Sequence, residues 1–250
     1  MATVTFLHGF TQSGESWAEL ISLLPPGHEL LTPDLRGHGR NPAPAAEPHT
    51  LAAGCADVVR LWDQRGVERS HLVGYSLGGR LALHLAARHP QRVLTLTVIS
   101  GHAGLDEAAR PARLREDQAL AAKIEANGVE WFAAYWALRP LFAGLARRGP
   151  AFLEALDERR RHNRADGLAA SLRGMGAGAT EPFWVALGAI DAPTLLIAGA
   201  EDESYLKAGR RLAGSIKGAR LEAVPGAGHV VHLEQPDAVA RLLGAHLSSR

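Results

Sequence analysis

Gly74-Tyr75-Ser76-Leu77-Gly78 follows the apolar pair Leu72-Val73 and opens a helical periodicity that runs from Leu77 to Arg88. Strand, sharp turn and helix in that order make the stretch a G-x-S-x-G nucleophile elbow. The turn holds its serine in strained backbone, so only small residues fit beside it. Gly74 and Gly78 supply that room, and Gly79 lets the helix start pack closely. The pentapeptide alone occurs by chance in many chains. Its weight comes from the partners that follow it.

A serine nucleophile needs a base and the base needs an orienting acid, in the chain order serine, acid, histidine. Residues 193–199 form an apolar run that reads as a buried parallel strand and ends in Ala200-Glu201-Asp202. Asp202 thus sits at the carboxyl end of a strand, where the sites of open α/β sheets collect. Glu201 and Glu203 are the competing acids at this turn. A second strand-like run, residues 220–224, leads into Pro225-Gly226-Ala227-Gly228-His229, a loop too glycine-rich for a core histidine. The expected triad is Ser76 as nucleophile, Asp202 as orienter and His229 as base. His232 lies three residues beyond His229, but two histidines are too few for a closed zinc site, so no metal is expected and His232 should pack below the loop.

The other end of the chain supplies oxyanion donors. Thr3-Val4-Thr5-Phe6-Leu7 is a β-rich run followed by His8-Gly9-Phe10. The N–H of Leu77, just past the serine, and that of Phe10, in the loop after the early strand, are the expected pair. Preformed donors of this kind contribute about 3 kcal/mol each to a transition state carrying negative charge.

Bulk properties exclude several classes of function. The 250 residues suffice for one domain with an inserted subdomain, and 27 basic against 26 acidic residues give a net charge of +1. Nothing there points to nucleic acid or an anionic membrane surface. The single cysteine, Cys55, cannot form an internal disulfide; it falls in a helical stretch and reads as a small buried residue. A strand starting at Thr3 leaves no room for a signal peptide, and no apolar run reaches the length of a membrane span. A cytoplasmic protein without a cofactor is the expectation, its oligomeric state left open.

Strand candidates at 3–7, 28–32, 70–74, 93–99, 193–199 and 219–224 alternate with helical patterns at 16–24, 51–65, 77–88, 204–215 and 236–247. Such alternation means parallel βαβ units and a doubly wound sheet of about six strands. Between them, residues 31–40 form a strand end running into a Gly/Pro loop in which Asp34 and Arg36 should hold loops together. The interval 101–188 breaks the alternation. It reads as helices only: 107–126, stopped by Asn127-Gly128, then 130–137, 141–148, 152–164 and 167–174. The expected organisation is a core of residues 1–100 and 189–250 and a helical cap of residues 101–188 that excludes water and shapes the pocket.

The cap is rich in arginine, and acidic residues nearby assign most of these to solvated helix faces. Arg80 is different. It lies one helical turn after Ser76 and faces the same way. A buried cation there gives little to an esterase for neutral esters, so Arg80 is read as a carboxylate anchor, with a structural ion pair as the competing account.

His8-Gly9-Phe10, residues 34–39 (Asp-Leu-Arg-Gly-His-Gly), the elbow and Gly228-His229 together resemble the α/β-hydrolase superfamily. Four further stretches resemble the 2-succinyl-6-hydroxy-2,4-cyclohexadiene-1-carboxylate synthases of menaquinone biosynthesis. They are Ser76–Arg80; residues 102–105 with Arg113 and Asp117; Tyr135-Trp136 with residues 140–142; and residues 160–163 and 167–173 with Trp184. The resemblance spans nearly the whole chain and implies an α/β-hydrolase fold used by a lyase. A small anionic substrate bearing several carboxylates would lose a ring proton and expel pyruvate, with Ser76 as the base. By position, the resemblance makes Arg80, Arg113 and Arg160 carboxylate ligands, with Arg115 and Arg161 as register alternatives to the last two. Tyr75 and Trp136 become pocket neighbours, Trp136 being equally well explained as a cap-core aromatic.

Two departures stand out. The start of the chain lacks a pair of strands usual before the first one, and Gly176-Ala177-Gly178-Ala179-Thr180 replaces a usual Gly-Thr-Gly-x-Gln. An ester or thioester hydrolase working through an acyl-serine uses the same triad and is the alternative. A receptor that binds without turnover would need no intact triad.

Overall fold

In the computed structural model, which describes residues 1–41 and 43–248, the strands are β1 (Ala2–Leu7), β2 (His28–Leu31), β3 (Ser70–Tyr75), β4 (Val93–Ile99), β5 (Thr194–Gly199) and β6 (Arg220–Val224). They form one sheet in the order β2-β1-β3-β4-β5-β6, with every pairing parallel. The central strands are buried on both faces, which is why they read as unbroken apolar runs. The edge strands β2 and β6 are partly exposed and carry charged residues.

The helices are α1 (Ala18–Ser22), α2 (Leu51–Gln64), α3 (Leu77–Arg88), α4 (Arg110–Ala137), α5 (Pro150–Arg161), α6 (Ala165–Met175), α7 (Glu203–Ser215), α8 (Val231–Glu234) and α9 (Pro236–Ser248). Alternate strand residues feed the two faces of the sheet. Val4, Phe6, Val73 and Leu195 pack with α1, α8 and α9, while Leu7, Leu72 and Leu196 pack with α2, α3 and α7. Cys55 belongs to the second of these cores and is buried.

Chain order and sheet order diverge at β1, which has β2 on one side and β3 on the other. The carboxyl ends of β1 and β3 therefore flank the switch point, the crevice where doubly wound sheets bind ligands. The loop His8–Phe10 leaves β1 there, and Ser76 leaves β3 beside it.

Between β4 and β5 the chain is helical. Asn127-Gly128 does interrupt the first helix: Gly128 at φ 82°, ψ 174° breaks α4 into two arms. The inner faces of α4 and α6 share a small core of Ile124, Phe132 and Leu168. The short 3-10 turn Trp184–Ala189 packs Leu187 into the main core, so the part that stands clear of the sheet runs from α4 to α6. Arg147 ties this insertion to Glu201, and Arg148 ties it to Glu19 and the carbonyl of Leu233. Asn163 joins it to the loops past β2 and β1, accepting from Gly39 N–H at 2.9 Å in the first and donating to the carbonyl of Thr11 at 3.0 Å in the second. Asp34 and Arg36 do bind loops: Asp34 accepts from the N–H groups of Gly14 and Arg40, and Arg36 clamps Asp57 with two hydrogen bonds. Among the described residues no helix is long and apolar enough to cross a membrane.

Candidate active site

Ser76 sits at φ 51°, ψ −108°, a left-handed backbone that side-chain-bearing residues rarely adopt. Neighbouring backbone makes the turn possible only with glycine at 78, where a Cβ would lie 2.0 Å from the carbonyl oxygen of Leu7. The elbow is pinned by Ser76 N–H donating to Ile99 O at 2.9 Å and Gly78 N–H donating to His8 O at 3.1 Å.

The structure brings Ser76, His229 and Asp202 together. His229 Nε2 is 3.1 Å from Ser76 Oγ, and Nδ1 is 3.1 Å from Asp202 Oδ2. With a carboxylate accepting at Nδ1, the proton of the neutral ring resides there and Nε2 is left to accept from the serine hydroxyl. Asp202 caps α7, its Oδ1 accepting from Tyr205 N–H at 3.2 Å. The competing acids are engaged elsewhere, Glu201 with Arg147 and Glu203 with Arg210.

The loop bearing His229 is fixed by Glu234, a residue the sequence reading passed over. Its buried carboxylate accepts from Gly228 N–H at 2.7 Å and Val230 N–H at 2.9 Å, bracketing the histidine. Tyr205 was also passed over. Its ring lies 4.3 Å from that of His229, and it lines the cavity beside Ser76 and Arg80. The Asp202-to-Tyr205 spacing of an N-cap and its third helical residue is the one sequence signal that pointed to it.

His8 explains the shape of the loop after β1. Its Nδ1–H donates to Gly9 O at 2.8 Å, and its Nε2 accepts from Leu35 N–H at 2.9 Å. Phe10 and Leu77 both line the cavity next to Ser76, and neither N–H meets a protein acceptor among the described residues.

The cavity over Ser76 measures about 800 Å³ and is roofed by α4, α6 and the turn Pro140–Arg148. Arg80 lies on its wall, 7% exposed, with no carboxylate in ion-pair reach among the described residues. Burial pulls its pKa down to about 10, so the guanidinium stays charged at neutral pH. Arg113 also lines the cavity, half-exposed and paired to the buried Asp117 at 2.7 Å. His102 stands nearby. Its Nδ1 accepts from Gly104 N–H, and burial beside Arg80 and Arg113 lowers its pKa to about 3, so it is neutral.

Two residues expected at the pocket lie behind its wall instead. Tyr75 is buried against His229 and His232, because alternation along β3 turns it to the sheet face opposite the helix α3. Arg160 is buried with its guanidinium 5.5 Å from the ring of Phe142, and it is Phe142 that lines the cavity. Arg161 is an outward ion pair with Asp157, and Arg115 is exposed. Trp136 answers to both accounts of it: it lines the cavity and packs against Phe10, Phe132 and Phe142. His232 packs below the loop between Trp17 and Tyr75, both ring nitrogens lacking a hydrogen-bond partner among the described residues.

Burial lowers the pKa of His8 to about 4 and those of His38 and His232 to about 3. Below the unfolded value of about 6.5 the unfolded chain binds protons that these folded rings refuse. Their stabilising contribution is complete above that pH and declines as pH falls toward 4. Urea midpoints measured at pH 7, 6 and 5 should fall in that order, and His232→Phe should flatten the slope. Equal slopes in both proteins would show that His232 does not titrate with unfolding.

Residues 2–236 match the family model described as alpha/beta hydrolase fold. The chain belongs to the α/β-hydrolase family. It is 36% identical over 248 residues to a Bacillus subtilis (strain 168) protein provisionally named 2-succinyl-6-hydroxy-2,4-cyclohexadiene-1-carboxylate synthase, covering 98% of this chain and 90% of that one. It is 32% identical to the synthase of that name from Enterobacter sp. (strain 638), covering 99% and 92%. The solved structure of MenH from S. aureus superposes with a TM-score of 0.93 at 27% identity, covering 98% of this chain and 93% of that one.

Proposed function

We propose that this α/β-hydrolase is a lyase that eliminates pyruvate from a polycarboxylate cyclohexene intermediate, giving 2-succinyl-6-hydroxy-2,4-cyclohexadiene-1-carboxylate. The product's name places a ketone next to the ring, and a ring C–H beside a carbonyl is the acidic one. Ser76 Oγ gives its proton to His229 Nε2 and takes the ring proton. The C–H electron pair moves onto the carbonyl oxygen, which the N–H groups of Phe10 and Leu77 receive. That pair then returns to the ring as a double bond and breaks the C–O bond to the three-carbon side chain. The leaving enolate takes the proton held on His229 and tautomerises to pyruvate, restoring the triad. Asp202 holds the imidazole in the tautomer this sequence needs and stabilises the imidazolium.

The observation that carries this reading is Arg80, a buried guanidinium without a carboxylate partner among the described residues, one helical turn from Ser76. An unpaired buried cation is costly and gains its partner when an anionic substrate enters. Arg113 adds a second guanidinium to the same wall, its charge shared with Asp117. The full-length similarity to named synthases supports the same substrate.

Pyruvate release from the cyclohexene intermediate, followed through lactate dehydrogenase and NADH, should match ring product one to one. A series of p-nitrophenyl esters should turn over far more slowly. Rapid ester cleavage without pyruvate release would replace the lyase with a hydrolase on the same triad.

A further inference from the structure

Arg80 reaches the cavity from α3 of the core, whereas Arg113 reaches it from α4 of the insertion. One strap of backbone holds both. We propose that Gly176-Ala177-Gly178-Ala179-Thr180 is the specificity-determining element of the site, setting the positions of the two guanidinium groups, with Thr180 as the positioning residue for Arg80. This inference rests on the reading that those groups receive substrate carboxylates.

Thr180 is buried, and its Oγ1 accepts from Arg80 Nη1–H at 2.9 Å while donating to Gly176 O at 3.0 Å. The single hydroxyl proton is committed to the carbonyl, so only lone pairs face the cation. At the strap's centre, Gly178 N–H donates to Asp117 Oδ2 at 3.1 Å, and Oδ1 of the same carboxylate accepts from Arg113 Nε at 2.7 Å. Asp117 is therefore gripped between the strap and the arginine it orients.

Close approach makes this possible. A Cβ on Gly178 would lie 2.2 Å from the backbone nitrogen of Leu114, so any side chain there would push the strap off α4. The chemistry of the two holds also differs in a useful way. A carboxylate beside Arg80 would neutralise the charge that the substrate is to meet, whereas a hydroxyl fixes its direction and leaves the charge available.

Thr180→Val keeps the shape of the side chain and removes the hydroxyl. It should raise KM by about tenfold or more with kcat within about threefold of wild type, and should weaken succinate binding, read by tryptophan fluorescence, by a similar factor. Thr180→Ser should restore both to within about threefold. If the valine protein does not fold, Thr180→Ala removes the same hydroxyl with less bulk and is judged by the same two readouts. Unchanged KM and unchanged succinate affinity would overturn the proposal, as would a fall in kcat alone or a serine variant as impaired as the valine one. Succinate affinity decides the strap's role even if the wild-type protein releases no pyruvate, an outcome that would remove the lyase reading instead.

Discussion

Ser76→Ala is expected to lower kcat for pyruvate release by about four orders of magnitude while leaving substrate affinity and thermal midpoint near those of wild type. The change removes one oxygen, the atom 3.1 Å from His229 Nε2. Alanine at φ 51° carries the same backbone strain as serine, so the elbow has no new reason to open. The anchors for the substrate lie on other residues and remain, which is why KM should hold. His229→Ala should be as damaging, because without the imidazole the hydroxyl keeps its proton at neutral pH. Single-turnover pyruvate release together with quenching of tryptophan fluorescence separates chemistry from binding. A Ser76→Ala protein within about tenfold of wild type, beside an inactive His229→Ala, would make the imidazole itself the group that takes the ring proton.

The elements legible in the sequence are those whose residue types are dictated locally. The elbow reads itself out because backbone around Gly74 and Gly78 leaves no space for a side chain, and β3, β4 and β5 read as continuous apolar runs because both faces are covered. Strand boundaries consequently fall within a residue of their expected places. Side-chain direction in the insertion is another matter. Each helical step turns the side chain by about 100°, and neither charge nor spacing said that Phe142 would come between Arg160 and the cavity. Tyr75 could have been placed from the sequence, since Val73 and Tyr75 alternate with Leu72 and must share the opposite face. The single turn α8 carries no periodicity, and it is held by Glu234 reaching back to the histidine loop. His102, Tyr205 and Thr180 escaped for a common reason. Each becomes a site residue only when loops remote in sequence close over Arg80.

Arg80→Met should show two effects of opposite sense. Transition-state binding should fall by about 2–4 kcal/mol, roughly 30- to 1,000-fold in kcat/KM, because a desolvated charge partner of the substrate is lost. The substrate-free protein, however, should melt no lower than wild type. Its buried guanidinium has Thr180 as a neutral partner and no carboxylate in ion-pair reach among the described residues, so the folded state bears a desolvation cost with little return. Methionine fills the stem volume and removes that cost. The pairing of a large kinetic loss with an unchanged or raised midpoint is the signature of a residue kept for its ligand. A structural ion pair would give the reverse, a lowered midpoint with KM unchanged, and that result would leave the cavity without its principal anion anchor. Arg80→Lys sharpens the comparison, since a point charge on a shorter reach cannot reproduce the fork geometry that a carboxylate meets. Its kcat/KM should fall between those of the methionine variant and wild type. Parity between lysine and arginine would mean that charge alone, without direction, is what the site supplies, and the hydroxyl of Thr180 would then have nothing to orient.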